Sequence, residues 1–242
     1  MSFQEKIIEG KYNYFQKNQI YCEEHFKVFK EEKRHGNFTF NAELLSRVDT
    51  GEFLKIYVDY ELTNNFEPLN LRVKRSLGGS KSSERFSVDL KDKKISYAFN
   101  GKNGFHENEK VVTGKFHIAS PAFCSSMLMT QARKIDPVHR TAYDIVSSSN
   151  IWTYEEPFHE SMLHVELMKL EPVTIELQGN EVQASHCNIY EEDKLKNPNA
   201  AGYPLYVSKH YQIPYMAQFQ GGIRVEVESL KNYESEYSKM FR

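Results

Sequence analysis

Arg75 and Glu84 are the charged residues whose use can be argued from spacing alone. They flank Gly78-Gly79 in "LNLRVKRSLGGSKSSERFSVDL", and a hairpin over those glycines sets Leu71 against Val88, Val73 against Phe86 and Arg75 against Glu84. A charge on an otherwise apolar strand face needs a partner, because taking it out of water is costly. The pair can simply finish the hairpin as a buried or rim ion pair. Alternatively, Arg75 anchors a carboxylate or phosphate head group while neighbouring aromatics receive an apolar tail. Phe40, Tyr60, Phe86, Tyr97 and Phe99 fall on the same inner alternation and would form that wall. Trp152, the only tryptophan, alternates in phase with Tyr154 and is a further candidate for lining a pocket.

Histidines supply the candidate proton carriers. A two-residue Gly179-Asn180 turn would oppose Leu177 to Val182, Ile175 to Ala184 and Val173 to His186, so that His186 points inward. A neutral inward histidine can act as a general base or as a hydrogen-bond partner for a ligand, or it can be a core histidine satisfied by its neighbours. His164 shares a strand face with Glu166, a second and weaker candidate site. His159 lies an odd number of residues from His164 and faces the other way, so no metal site is expected. No nucleophile elbow, H-E-x-x-H, phosphate-binding loop or dinucleotide fingerprint occurs, and no cofactor is expected. Lys209 and His210 stand between a strand and Ile213-Pro214, where a barrel mouth could meet an anion.

Composition narrows the partners. The 242 residues carry 31 Lys and Arg against 33 Asp and Glu, so no global field favours nucleic acid or an anionic membrane. The basic runs "FKEEKRH" and "KDKK" are diluted with acids and lack the interleaved aromatics of a nucleic-acid platform, and nucleic acid is not expected as a partner. The first residues lack a secretory signal pattern, and no stretch is apolar enough to span a membrane, which together suggest a cytoplasmic protein. Cys22, Cys124 and Cys187 are scattered without metal-ligand spacing, as suits reduced thiols.

The elements that must position these residues are strands. In "ELLSRVDTGEFLKIYVDYEL" apolar residues alternate on both sides of Asp49-Thr50-Gly51, pairing Leu44 with Ile56, Ala42 with Val58, Phe40 with Tyr60 and Phe38 with Leu62. A slip of one residue would turn Lys55, Tyr57, Asp59 and Glu61 inward, so the register is strongly specified. A Lys91-Asp92 turn then pairs Val88 with Ile95 and Phe86 with Tyr97. A loop over Gln220-Gly221-Gly222 pairs Phe219 with Ile223 and Ala217 with Val225. Further strands are expected at 114–119, 141–147, 151–155, 161–170 and 204–208, giving about eleven or twelve in total. Ser120-Pro121 opens a helix over 121–133 that would seal one side of the sheet. Residues 1–35 are ambiguous, with helix slightly favoured, and 191–204 is the longest loop and a possible lid.

The fold expected is mostly β, a single domain over 1–242 whose large antiparallel sheet curls into a barrel, half-barrel or β-roll. Such a sheet with aromatic inner positions points to binding of a small hydrophobic or amphipathic molecule in an apolar cavity. Two other uses remain open: a cofactor-independent isomerase, lyase or hydrolase working through an inward histidine, and an interaction module with a solid core.

Overall fold

The computed structural model describes residues 4–32, 36–192, 202–208 and 213–234. Eight strands run first as a meander: β1 (Gln4–Gln16), β2 (Gln19–Glu31), β3 (Phe38–Arg47), β4 (Phe53–Leu62), β5 (Pro68–Leu77), β6 (Ser80–Asp89), β7 (Lys94–Gly101) and β8 (Gly104–Val111). The chain then crosses to the far edge of the same sheet with β9 (Phe116–Ile118). It returns through β10 (Thr141–Ser147), β11 (His159–Leu167), β12 (Val173–Leu177), β13 (Asn180–Glu191), β14 (Tyr203–Val207), β15 (Pro214–Gln218) and β16 (Ile223–Asn232). Strand β16 pairs with β1, so the two runs join in mid-sheet, and among the described residues β12 pairs with β13 alone.

The sheet is large, curled and antiparallel except for the β9–β10 pair. It has sixteen strands among the described residues, more than the eleven or twelve expected. Its far edge folds back over the inner face: the Ile118 amide on β9 donates to Tyr60 Oη on β4 at 3.2 Å. One core cluster fills the space so enclosed. No described helix is long and apolar enough to cross a membrane.

The β3–β4 hairpin has the register that alternation demands, with Leu44 on Ile56, Ala42 on Val58, Phe40 on Tyr60 and Phe38 on Leu62. Phe86 faces Tyr97, Val88 faces Ile95 and Ala217 faces Val225, also as expected. Two hairpins close more tightly. Gly78-Gly79 is a two-residue turn, which sets Val73 against Glu84 and Arg75 against Ser82, and Gln178-Gly179 sets Ile175 against Val182 and Val173 against Ala184. Each register differs from expectation by two residues, so the facing of those positions survives although the partners change.

The N-terminal region is strand, not helix. Burial in β1 runs in adjacent pairs, Ile7-Ile8 and Tyr12-Asn13, because the ladders shift register between Lys6 and Ile8, between Lys11 and Tyr12, and between Tyr14 and Phe15. Bulges of this kind insert a residue and flip the phase, which erases the period-2 signature. The sealing segment is present, but as a 3-10 turn (Phe123–Ser125) followed by the single-turn α1 (Met129–Ala132), with Ala122 and not Ser120 at the first cap. Residues 151–155 form no strand. They belong to an irregular loop, 148–158, whose Asn150 side chain accepts the Glu155 amide at 2.7 Å and donates to the Glu156 carbonyl at 2.8 Å. Most of the expected 191–204 loop, with Lys209 and His210, lies outside the described residues.

Candidate functional site

The hairpin β5–β6 brings Arg75 and Glu84 together diagonally: Arg75 Nη2 donates to Glu84 Oε1 at 2.5 Å, and the side chains are 10% and 5% exposed. Tyr97 Oη reaches the other carboxylate oxygen at 3.2 Å and receives the Asn150 amide at 3.1 Å, with Ser148 Oγ at 2.8 Å. Ser82 Oγ donates to the Ile151 carbonyl at 2.5 Å. These bonds dock loop 148–158 on the inner face of β5–β7. Among the described residues there, Arg75 Nη1 alone stays buried without a hydrogen-bond partner.

Phe40, Tyr60, Phe86, Tyr97 and Phe99, the expected wall, are all core residues no more than 1% exposed. Phe86 packs on Tyr97 at 4.6 Å between ring centroids, and Phe158 from the docked loop meets both rings at about 6 Å. Phe99 packs on Tyr154, and Tyr154 stacks on His106 at 4.3 Å. Trp152 is half-buried; its carbonyl receives the Lys102 amide at 2.8 Å. Six expected site residues, Arg75, Glu84, Phe86, Tyr97, Phe99 and Trp152, therefore gather at one end of the roll. Tyr60 lies apart, bonded to His117.

The two candidate histidines do not join them. Burial along β13 falls at Ala184, Cys187 and Tyr190, so the phase changes where β13 leaves β12 for β11 and β14. His186 is consequently half-buried at the sheet surface, stacked on Tyr206 at 4.5 Å, and burial together with Lys169 lowers its pKa. His164 is half-buried between Ala142 and Tyr190, while its neighbour Glu166 is occupied by Arg140 at 3.0 Å and Tyr190 at 2.9 Å. Among the described residues no three potential metal ligands cluster.

Glu24 and His117 are among the buried polar residues that escaped the sequence. Glu24 is fully buried on β2, where its carboxylate accepts the Phe123 amide at 2.8 Å, the Cys124 amide at 3.0 Å and the Tyr14 hydroxyl. Burial raises its pKa, against the pull of those donors. It alternates in phase with Cys22, Phe26 and Val28, a signal readable only once β2 is known to be a strand. His117 lies on the three-residue β9, too short to show any period.

A groove of about 900 Å3 lies on the outer face across β1–β5. Beside the bulged β1, its rim presents Lys11, His25, Lys27, Arg72 and Lys74, with Tyr57 between them. Glu9, Glu43 and Asp59 are interspersed. Lys11 bridges Glu23 and Glu228 at 2.9 Å each, and Asp59 accepts from Asn41 at 3.0 Å and faces Arg72 at 3.9 Å. Lys27 and Lys74 make no ion pair among the described residues. The groove thus joins ammonium groups that form no ion pair among the described residues, Lys27 lying within electrostatic reach of Glu9, to Gly10, Ala42 and the half-exposed Tyr57 ring, which suits an amphipathic molecule with an anionic head.

No family model matches the sequence, and no curated protein matches it. Among solved structures, the chain is similar to a β-barrel-like protein of a domain of unknown function, DUF1849, from Brucella abortus, with a TM-score of 0.55 over 95% of this chain and 98% of that one. At 7% identity the likeness is one of fold.

Proposed function

We propose that the protein binds a small amphipathic molecule, held in the outer groove of β1–β5 with its anionic end at Lys27 and Lys74 and its apolar part along Tyr57. The groove itself carries this reading: about 900 Å3 lies within the roughly 300–1,000 Å3 usual for small-molecule sites. The packed aromatic core argues against the interior as the place. We assign Arg75, Glu84 and Tyr97 to holding loop 148–158, because both carboxylate oxygens are engaged there. The enzyme alternative gains nothing from the histidines, since among the described residues no histidine inside the roll is hydrogen-bonded to a carboxylate.

Interaction with another chain is a second reading, favoured by the bare edge of β8. Among the described residues that strand pairs only with β7; it has no proline or register shift, and it exposes Phe105 and Val111 by 62% and 66%.

Fluorescence titration with a dansyl-labelled carboxylic-acid amphiphile tests the groove. Saturable binding should weaken about tenfold in a Lys27→Glu/Lys74→Glu variant, as two reversed surface charges warrant. Binding that is absent, or unaffected by the double substitution, would remove the groove from consideration.

A further inference from the structure

We infer that the bare edge of β8 receives an extended basic segment of another protein, added to the sheet as an antiparallel strand with lysine or arginine side chains beside Glu107 and Glu109. This partner rests on the interaction reading given above for the same edge. The backbone phase there is fixed. The Val112 amide donates to the Lys93 carbonyl at 2.9 Å, in the register that pairs Lys94 with Val111 and Gly101 with Gly104. In an antiparallel ladder only alternate pairs exchange bonds, so Gly104, His106, Asn108 and Lys110 direct their backbone groups to β7. The N–H and C=O groups of Phe105, Glu107, Glu109 and Val111 point the other way, and all four residues are exposed.

The inner face of the strand is braced. Tyr154 stacks on His106 at 4.3 Å, and its hydroxyl receives the Asn108 amide at 3.1 Å. At the turn, the Asn103 side chain donates to the Tyr154 carbonyl and accepts the Tyr154 amide, each at 2.9 Å. Lys110 pairs with Glu160 on β11. Loop 148–158 and β11 therefore hold the inward side chains and leave the outward row open. An edge already fixed as a strand spares a partner part of the ordering cost of binding. Strand β9, at the other end of the sheet, is treated differently: it has three residues, and His117 and Ile118 are buried.

Charge selects the occupant. Across a new ladder the outward residues face outward residues, so a second copy of β8 in its longest antiparallel overlaps sets Glu107 against Glu107 or against Glu109. Like charges directly opposite one another are destabilising. A segment with cations at two alternate positions meets both glutamates instead, and apolar residues two places beyond on either side meet Phe105 and Val111. Glu107 is the stronger selector. It forms no ion pair among the described residues, and its row runs through Ala98 before it reaches Arg85. Glu109 is shared with Lys94 and with Ser96 Oγ, the latter at 2.9 Å.

The probe is the end-blocked peptide Val-Thr-Lys-Thr-Lys-Thr-Val, with versions carrying threonine or glutamate in place of both lysines, read by backbone amide shifts of the full chain. The lysine peptide should shift Phe105, Glu107, Glu109 and Val111 saturably. Glu107→Lys, at an exposed position, should weaken it about fivefold and turn the preference toward the glutamate peptide. The edge shares no residue with the outer groove, so the amphiphile titration there reads separately. Equal binding of the threonine and lysine peptides at β8 would overturn the basic partner and keep the edge as an interaction surface, whereas β8 amides unmoved by all three peptides would remove both. A homodimer through β8 in sedimentation velocity would put a second copy in the partner's place and likewise overturn it.

Discussion

Glu24 and His117 are both buried ionisable groups, and their environments push stability in opposite directions with pH. Burial lowers His117 from 6.5 to about 4. Its contribution is therefore present above the unfolded value and is lost as pH falls toward the folded one, because the unfolded chain takes up the proton first. The loss amounts to roughly 3 kcal/mol between pH 6.5 and 4, and a His117→Gln variant measured by urea unfolding across that range should lack it. Glu24 runs the other way: its pKa is raised above 4.5, so its contribution is present below that value and fades as pH rises through the folded one. Glu24→Leu strands the Phe123 and Cys124 amides and the Tyr14 hydroxyl, and should cost about 3–5 kcal/mol in urea unfolding at neutral pH; Glu24→Gln, which keeps an acceptor oxygen, should cost less. Of the residues that matter, Arg75 and Glu84 were legible because alternation puts both charges on one apolar face. His117 was not, because a three-residue strand cannot display a period.

At the scale of elements, what could be read depended on whether a strand keeps its phase. Strands β3 and β4 alternate without interruption, and their register follows residue by residue from the demand that Phe40, Ala42, Val58 and Tyr60 stay dry. Strand β1 has bulges on both sides and therefore reads as irregular, which left the N-terminal hairpin looking helical. Its turn also lacked a glycine: Lys17 and Asn18 adopt φ of 50° and 63°, a left-handed pair that Asn-Gly fills at lower cost. Replacing Lys17-Asn18 by Asn-Gly should raise the unfolding free energy by about 1 kcal/mol, measured by thermal or urea unfolding; an unchanged or lower value would mean that the turn is already relaxed. The sealing helix failed for a different reason. Glu24 captures the amides of Phe123 and Cys124 at the start of the segment, and tertiary bonds of this kind override local helix propensity.

For the whole molecule, binary patterning fixes which side chains face inward but says nothing about whether the interior is hollow. The mostly β, curled antiparallel architecture was accordingly readable, while a cavity lined by Phe86, Tyr97 and Phe99 was an inference from other curled sheets, and those rings instead pack with Phe158. What remains open is the outer concavity, where the consecutive strands β1 to β5 bring Lys27, Tyr57 and Lys74 to one surface. Backbone amide shift mapping during titration with a carboxylic-acid amphiphile tests this most directly. Saturable shifts should be confined to β1–β5 and centred on Lys27, Tyr57 and Lys74, with β6–β7 unmoved; shifts concentrated at Phe86, Tyr97 and Phe99 would contradict the outer site and restore an interior one.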